Sequence, residues 1–210
     1  MLKHEYKIID AFLLAPWKKL TFNEVKKAYG SESKSYVYDI LKKLVNNGIL
    51  NEEKAGNVLL YSLNLGSLKA QVYAGMAAEH KAWNKGHIPF KDLEKLKNKI
   101  HTPFYILLIT GSYARGKQRA DSDMDVVIIC DDKEEPKNFY AGLKLLCEMN
   151  IPEIHLYTFK KSEFLAMLLN NEANYGKEIA KNCLILAGGR EYYAIINEAI
   201  HNGFNDTHLS

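Results

Sequence analysis

The sequence predicts an α+β protein in three segments: an N-terminal helical part closed by a hairpin, a helical connector, and a C-terminal α/β part built on a mixed sheet. Three observations carry this. Residues 1–65 show three stretches of helical periodicity and then two strand-like runs around a turn. Residues 66–102 are helical and lysine-rich, with Pro89 and Pro103 marking the zone where the chain changes character. From residue 103 onward, apolar strand runs alternate with helix patterns to residue 210. At 47% hydrophobic and 25% charged residues, the chain has the composition of a packed protein rather than a disordered one. Its unbroken apolar stretches, with Phe104 to Ile109 among the longest, are too short to cross a bilayer.

Each element follows from local pattern. Tyr6, Ile9 and Leu13, with Ile8 and Phe12 beside them, form a helical stripe that Pro16 stops. After a short Lys19–Phe22 segment, Asn23 reads as the N-cap of a helix through Ala28, closed by Gly30. Val37, Ile40, Leu41, Leu44 and Val45 then recur at i, i+3, i+4, i+7 and i+8; Ser31 or Ser33 caps this helix and Gly48 ends it. Ile49 to Glu52 and Val58 to Leu63 read as strands around Lys54–Asn57. In the connector, Leu68, Val72 and Ala77 lie on a helix ending near Gly86, and Pro89 opens another through Ile100. Strands follow at Phe104–Thr110, Met124–Cys130, Glu153–Phe159 and Cys183–Ala187, with helices over 162–170, 174–181 and 191–202.

Helix, helix, helix, hairpin in about 65 residues, with the string KSYVYDILKKLVNNGILNEEKAGNVLLYSLN at its centre, resembles a winged helix-turn-helix. The resemblance covers residues 3–64 and implies duplex DNA as a partner, with a homodimer as the usual binding form. On the outward side of the third helix and the wing, Lys34, Ser35, Tyr38, Lys42 and Lys54 would hold phosphates or stack. Glu32 and Asp39 share that side and oppose a phosphate backbone, so protein docking stays open as the other use.

The chemistry lies in LLITGSYARGKQRADSDMDVVIIC, residues 107–130. A strand runs into Gly111-Ser112. Glycine there lets an anionic ligand approach the backbone, and Ser112 offers a hydroxyl and an N–H. Arg115 adds a cationic fork. Asp123 and Asp125 flank Met124 at the start of a strand, and residues two apart on a strand project together. Two carboxylates on one side, with phosphates opposite, suit Mg²⁺.

Gly-Ser, about a dozen residues, then Asp-x-Asp resembles the DNA-polymerase-β-like nucleotidyltransferases, above all the small minimal ones of prokaryotes. The resemblance implies transfer of a nucleoside monophosphate from an NTP, with ATP the expected donor, to an acceptor hydroxyl on a protein, an RNA or a small molecule. It further implies that Gly111, Ser112 and Arg115 hold the nucleotide and that Asp123 and Asp125 bind two Mg²⁺ ions. Ser122 either shapes the turn or ligates a phosphate; Lys117 and Arg119 are loop charges open to either solvent or phosphate. The family's third carboxylate falls in PEIHLYTF, where His155 occupies the aligned position and Glu153 stands two residues earlier. His155 is a candidate base, and Glu153 the alternative. The resemblance also implies a helical partner protein.

Charge divides the same way. Residues 1–103 carry a net +7 and residues 104–210 a net −4, so one half suits a polyanion and the other cations. Cys130, Cys147 and Cys183 are odd in number and widely spaced, as expected of reduced thiols in a cytoplasmic protein. Asp10 interrupts the early apolar run, which argues against a secretory signal. The alternative to an enzyme is a nucleotide-sensing, DNA-binding regulator whose transferase part is weakly active or inactive.

Overall fold

The computed structural model describes residues 4–30 and 33–209; Ser31, Glu32 and the side chain of Tyr6 lie outside the described residues. The chain opens with a 3-10 helix, His4–Ala11, where periodicity predicts an α-helix. Ile8, Ile9 and Phe12 are buried all the same. Strand β1, Leu20–Thr21, leads into helix α1, Phe22–Tyr29. The cap is Thr21 and not Asn23. The Thr21 hydroxyl accepts from the Glu24 N–H, and the Glu24 carboxylate accepts from the Thr21 N–H at 2.7 Å. That reciprocal pair satisfies two helix-end donors, which Asn23, inside the first turn, cannot do. Helix α2, Lys34–Asn46, is capped by Ser33, whose hydroxyl accepts from the Tyr36 N–H.

Strands β2, Leu50–Ala55, and β3, Val58–Leu63, form an antiparallel hairpin from Leu50↔Leu63 to Ala55↔Val58. Gly56 at φ 60 takes the positive φ its two-residue turn requires. Strand β1 pairs with the other side of β3, giving a three-stranded sheet. The connector holds helices α3, Leu68–Trp83, and α4, Phe90–Lys97.

The C-terminal part runs β4 (Tyr105–Ile109), α5 (Gly111–Arg115), β5 (Met124–Cys130), α6 (Pro136–Glu148) and β6 (Ile154–Lys160). Then come α7 (Lys161–Leu169), α8 (Tyr175–Lys181), β7 (Leu184–Ala187) and α9 (Gly189–His201). Its sheet has the order β6-β5-β4-β7, mixed as expected: β5 and β6 are parallel, and β4 is antiparallel to both neighbours. Helix α6 is the crossover a parallel pair needs. It shows no clean stripe in the sequence because it buries only Leu143 and Cys147 while Leu145 is 68% exposed.

Alternation along the strands builds two cores. Leu107, Ile109, Val126 and Ile128 face α4 and α6. Ile106, Leu108, Val127 and Ile129 face the other way, and that core continues through Ala74 and Ile196 to Ile8, Phe12, Val25 and Leu41 of the N-terminal part. The Tyr193 hydroxyl donates to the Leu13 carbonyl at 3.1 Å, and Trp17 meets Phe204 edge-on with ring centroids 5.1 Å apart. Helix α3 crosses the start of α9 at Gly75. A Cβ there would stand 2.6 Å from the Gly189 carbonyl carbon, so only glycine allows the approach. Among the described residues, no helix is long and apolar enough to cross a membrane.

Candidate active site

Because β4 and β5 are antiparallel neighbours, the end of one and the start of the other meet at the same end of the sheet. The Thr110 N–H donates to the Asp125 carbonyl at 3.0 Å. Gly111 follows at φ 66, and a Cβ built on it would overlap Asp125 Oδ2. The space that glycine leaves is therefore taken by a carboxylate of the protein itself, where the sequence suggests the approach of a ligand. Ser112 lies in the first turn of α5, its carbonyl accepting from the Lys117 N–H at 2.9 Å.

Parallel pairing sets Asp125 opposite His155. His155 Nε2 lies 3.4 Å from Asp123 Oδ2, and Nδ1 lies 3.8 Å from Asp125 Oδ1. Asp123 precedes β5 rather than belonging to it, yet both carboxylates converge on one imidazole. Burial pushes the Asp125 carboxyl above the usual carboxylate range; His155 pulls it down, Asp123 pushes it up and Arg115 pulls it down. Burial and then the Asp123 charge raise the hydroxyl of Tyr113.

Ser122 closes the loop before the aspartates: its hydroxyl accepts from the Arg119 N–H at 2.8 Å, and its own N–H donates to the Arg119 carbonyl at 3.1 Å. Glu153 stands just before β6, its carbonyl accepting from the Met124 N–H at 2.9 Å, and lines a cleft with His155.

Three residues nearby escape sequence reasoning. Tyr175 packs on Tyr157 with centroids 4.5 Å apart, and the Asp125 charge adds to burial in raising its hydroxyl. That hydroxyl, Gln118 Oε1 and Asn182 Nδ2 are buried without a hydrogen-bond partner, which is uncommon for buried polar atoms. Nothing local marks them, since tyrosine and amides in polar loops read as packing and surface.

On the N-terminal part, Lys34, Ser35 and Tyr38 line a cleft of about 610 Å³ with Asn57 and Val58. Lys42 is engaged elsewhere: its Nζ donates to both Glu52 oxygens at 2.8 and 2.9 Å and lies 5.4 Å from the Tyr38 ring centroid. Lys54 is exposed on β2 near the turn.

No group of three or more His, Cys, Asp or Glu among the described residues forms a metal cage. The donor set nonetheless fits Mg²⁺, which takes one or two carboxylates and completes its shell with water and substrate phosphate oxygens. Asp123 and Asp125 would supply those two, and a divalent cation there would relieve the repulsion between them.

Residues 93–186 match the family model of the nucleotidyltransferase domain, so such a domain is present, from α4 to β7. Among solved structures, a crystal structure of a toxin-antitoxin with AMP-PNP is 14% identical, with a TM-score of 0.38, over 55% of this chain and 88% of that one. No curated protein matches the chain.

Proposed function

We propose that this protein transfers a nucleoside monophosphate from an NTP, ATP first among them, to an acceptor hydroxyl. The observation that carries the proposal is the convergence of Asp123, Asp125 and His155 at the sheet end beside Gly111. Asp123 and Asp125 would hold Mg²⁺, which when bound neutralises phosphate charge and aligns the α-phosphate for in-line attack. Ser112 and Arg115 bind the phosphates; Gly111 serves them through its backbone alone, since Asp125 fills the space of its missing Cβ; and Ser122 holds the loop that carries the aspartates. The acceptor oxygen bonds to the α-phosphorus, the bond to the bridging oxygen breaks, and pyrophosphate leaves. A ring nitrogen of His155 takes the acceptor's proton, the role of the family's third carboxylate.

Calorimetry tests the site. Removing one carboxylate leaves the cation under-ligated, so Asp125→Ala weakens Mg²⁺-dependent ATP binding at least about tenfold, about 1.4 kcal/mol. Equal affinity in the two proteins defeats the assignment.

The order of elements in residues 1–65 and the three-stranded sheet support a winged helix carrying DNA on Lys34, Ser35, Tyr38 and Lys54, whereas Lys42 would first have to leave Glu52. His155 in place of a carboxylate favours a second reading, a nucleotide sensor. ATP binding without transfer to any acceptor is its signature.

A further inference from the structure

We propose that the acceptor hydroxyl is carried by an extended polypeptide segment that adds as a strand to the outer edge of β6; this rests on the transfer reading above. The two edges of the sheet differ. Strand β7 has four residues, its register with β4 shifts at Leu107/Leu108, and the Trp83 indole N–H donates to the Leu186 carbonyl at 2.8 Å. Short, irregular and covered, it is closed in the usual ways. Strand β6 has seven residues, no proline and no shift in its pairing with β5.

The Glu153 carbonyl accepts from the Met124 N–H. In a parallel pair this turns the backbone groups of odd-numbered β6 residues toward β5, and those of Ile154, Leu156 and Thr158 outward. Among the described residues no hydrogen bond reaches those outward groups. Ile154 and Leu156 line a cleft of about 340 Å³ between β6 and one stripe of α6, together with Tyr140, Lys144, Glu148, Glu153, His155 and Tyr157, and Thr158 continues the same edge beyond it. Ile154 and Leu156 are only 3% and 8% exposed, so this cleft is the route by which a partner reaches them. Unpaired backbone groups held away from water are costly. Alternating N–H and C=O at strand spacing is the complement that a polypeptide backbone offers and a nucleic acid or sugar does not.

Register then delivers the chemistry. Every second residue of an added strand projects to the sheet face that carries His155 and Asp125. The residue directly opposite His155 stands about 5 Å away across the pair. A Ser, Thr or Tyr there brings its hydroxyl against the imidazole, with Asp123 and Asp125 beyond. That oxygen bonds to the α-phosphorus of the NTP, pyrophosphate departs, and the hydroxyl proton passes to His155. Tyr140 and Tyr157 offer apolar surface to the segment's other side chains.

The test uses short peptides of alternating Thr and Val around a central Ser, Thr or Tyr, with lysine ends for solubility. Each is paired with a version N-methylated at every second backbone nitrogen. Amide NMR of the full chain reads binding, and ATP labelled in its α-phosphate reads transfer. Expected are shifts at Ile154, Leu156 and Thr158, label on the central hydroxyl, and binding at least about tenfold weaker after methylation. Thr158→Pro, which removes an outward N–H that β5 does not use, weakens the peptide in the same way and leaves Mg²⁺-ATP binding intact. Equal binding of methylated and parent peptides overturns the proposal, as do shifts confined to other strands. So do amides of β6 that move with protein concentration alone, which marks pairing with a second copy, and label that passes to RNA or a small molecule while the peptides stay unlabelled. Loss of the transfer reading itself is told apart by the label: no acceptor of any class is labelled, whether or not calorimetry still shows Mg²⁺-ATP binding, while the peptide shifts persist.

Discussion

Gly111 and Asp125 constrain each other: the positive φ at Gly111 turns the chain, and its missing Cβ leaves room for Asp125 Oδ2. His155 then completes the group from the adjoining strand. If it accepts the proton, its removal acts on the transition state and not on the ground-state complex. His155→Ala is therefore expected to slow transfer by about a hundredfold or more, a usual share for a general base, with ATP affinity within about twofold. A large loss of ATP affinity would show His155 to be a binding group instead. Away from the site, Asp10 is half-buried where the N-terminal helix meets α3 and α9. Burial raises its carboxyl above the usual range, opposed by Lys81, His80 and Lys7. The folded chain thus holds that proton more tightly than the unfolded chain. This group's contribution to stability falls as pH rises from the ordinary aspartate range through its raised one. Urea melts between about pH 3 and 7 should show Asp10→Asn flattening that decline; an unchanged profile rules the contribution out.

Among the elements, α3 and α9 depend on one crossing. The Gly75 and Gly189 backbones touch there, and the Glu79 carboxylate accepts the Gly189 N–H at 2.7 Å. A methyl at position 75 must push the helices apart, since the atoms it meets are backbone. Gly75→Ala should cost about 1–3 kcal/mol and lower Tm by roughly 5 °C. An unchanged Tm would mean the crossing relaxes freely. Capping was half legible: Ser33 and Gly30 act as their types suggest, while Thr21 with Glu24 outcompetes Asn23 because it satisfies two donors at once. Helices α5 and α6 were not legible. One is five residues long, and the other buries too narrow a stripe to show a period.

For the molecule as a whole, one of the two cores joins both ends of the chain. Ile8, Phe12 and Leu41 share it with Tyr193, Ile196 and Phe204. Elements that share a core lose its burial together, so calorimetry should show one cooperative transition, with the van't Hoff and calorimetric enthalpies equal. Two resolved transitions would show that the N-terminal part unfolds by itself.

What the chain's own order determined was local and periodic. Strand alternation, helix stripes, Gly111-Ser112 and the spacing of Asp123 and Asp125 follow from side-chain direction and backbone freedom, which act over a few residues. Tertiary structure alone decided the rest. Parallel pairing of β5 with β6 brought His155 within 3.8 Å of Asp125 across thirty positions of sequence. Folding drew Lys42 onto Glu52 and set Tyr175 near Asp125. It also joined the N-terminal helix to α9. These depend on which segments pair and how apolar faces stack, a choice made by burial over the whole chain, which no local pattern encodes.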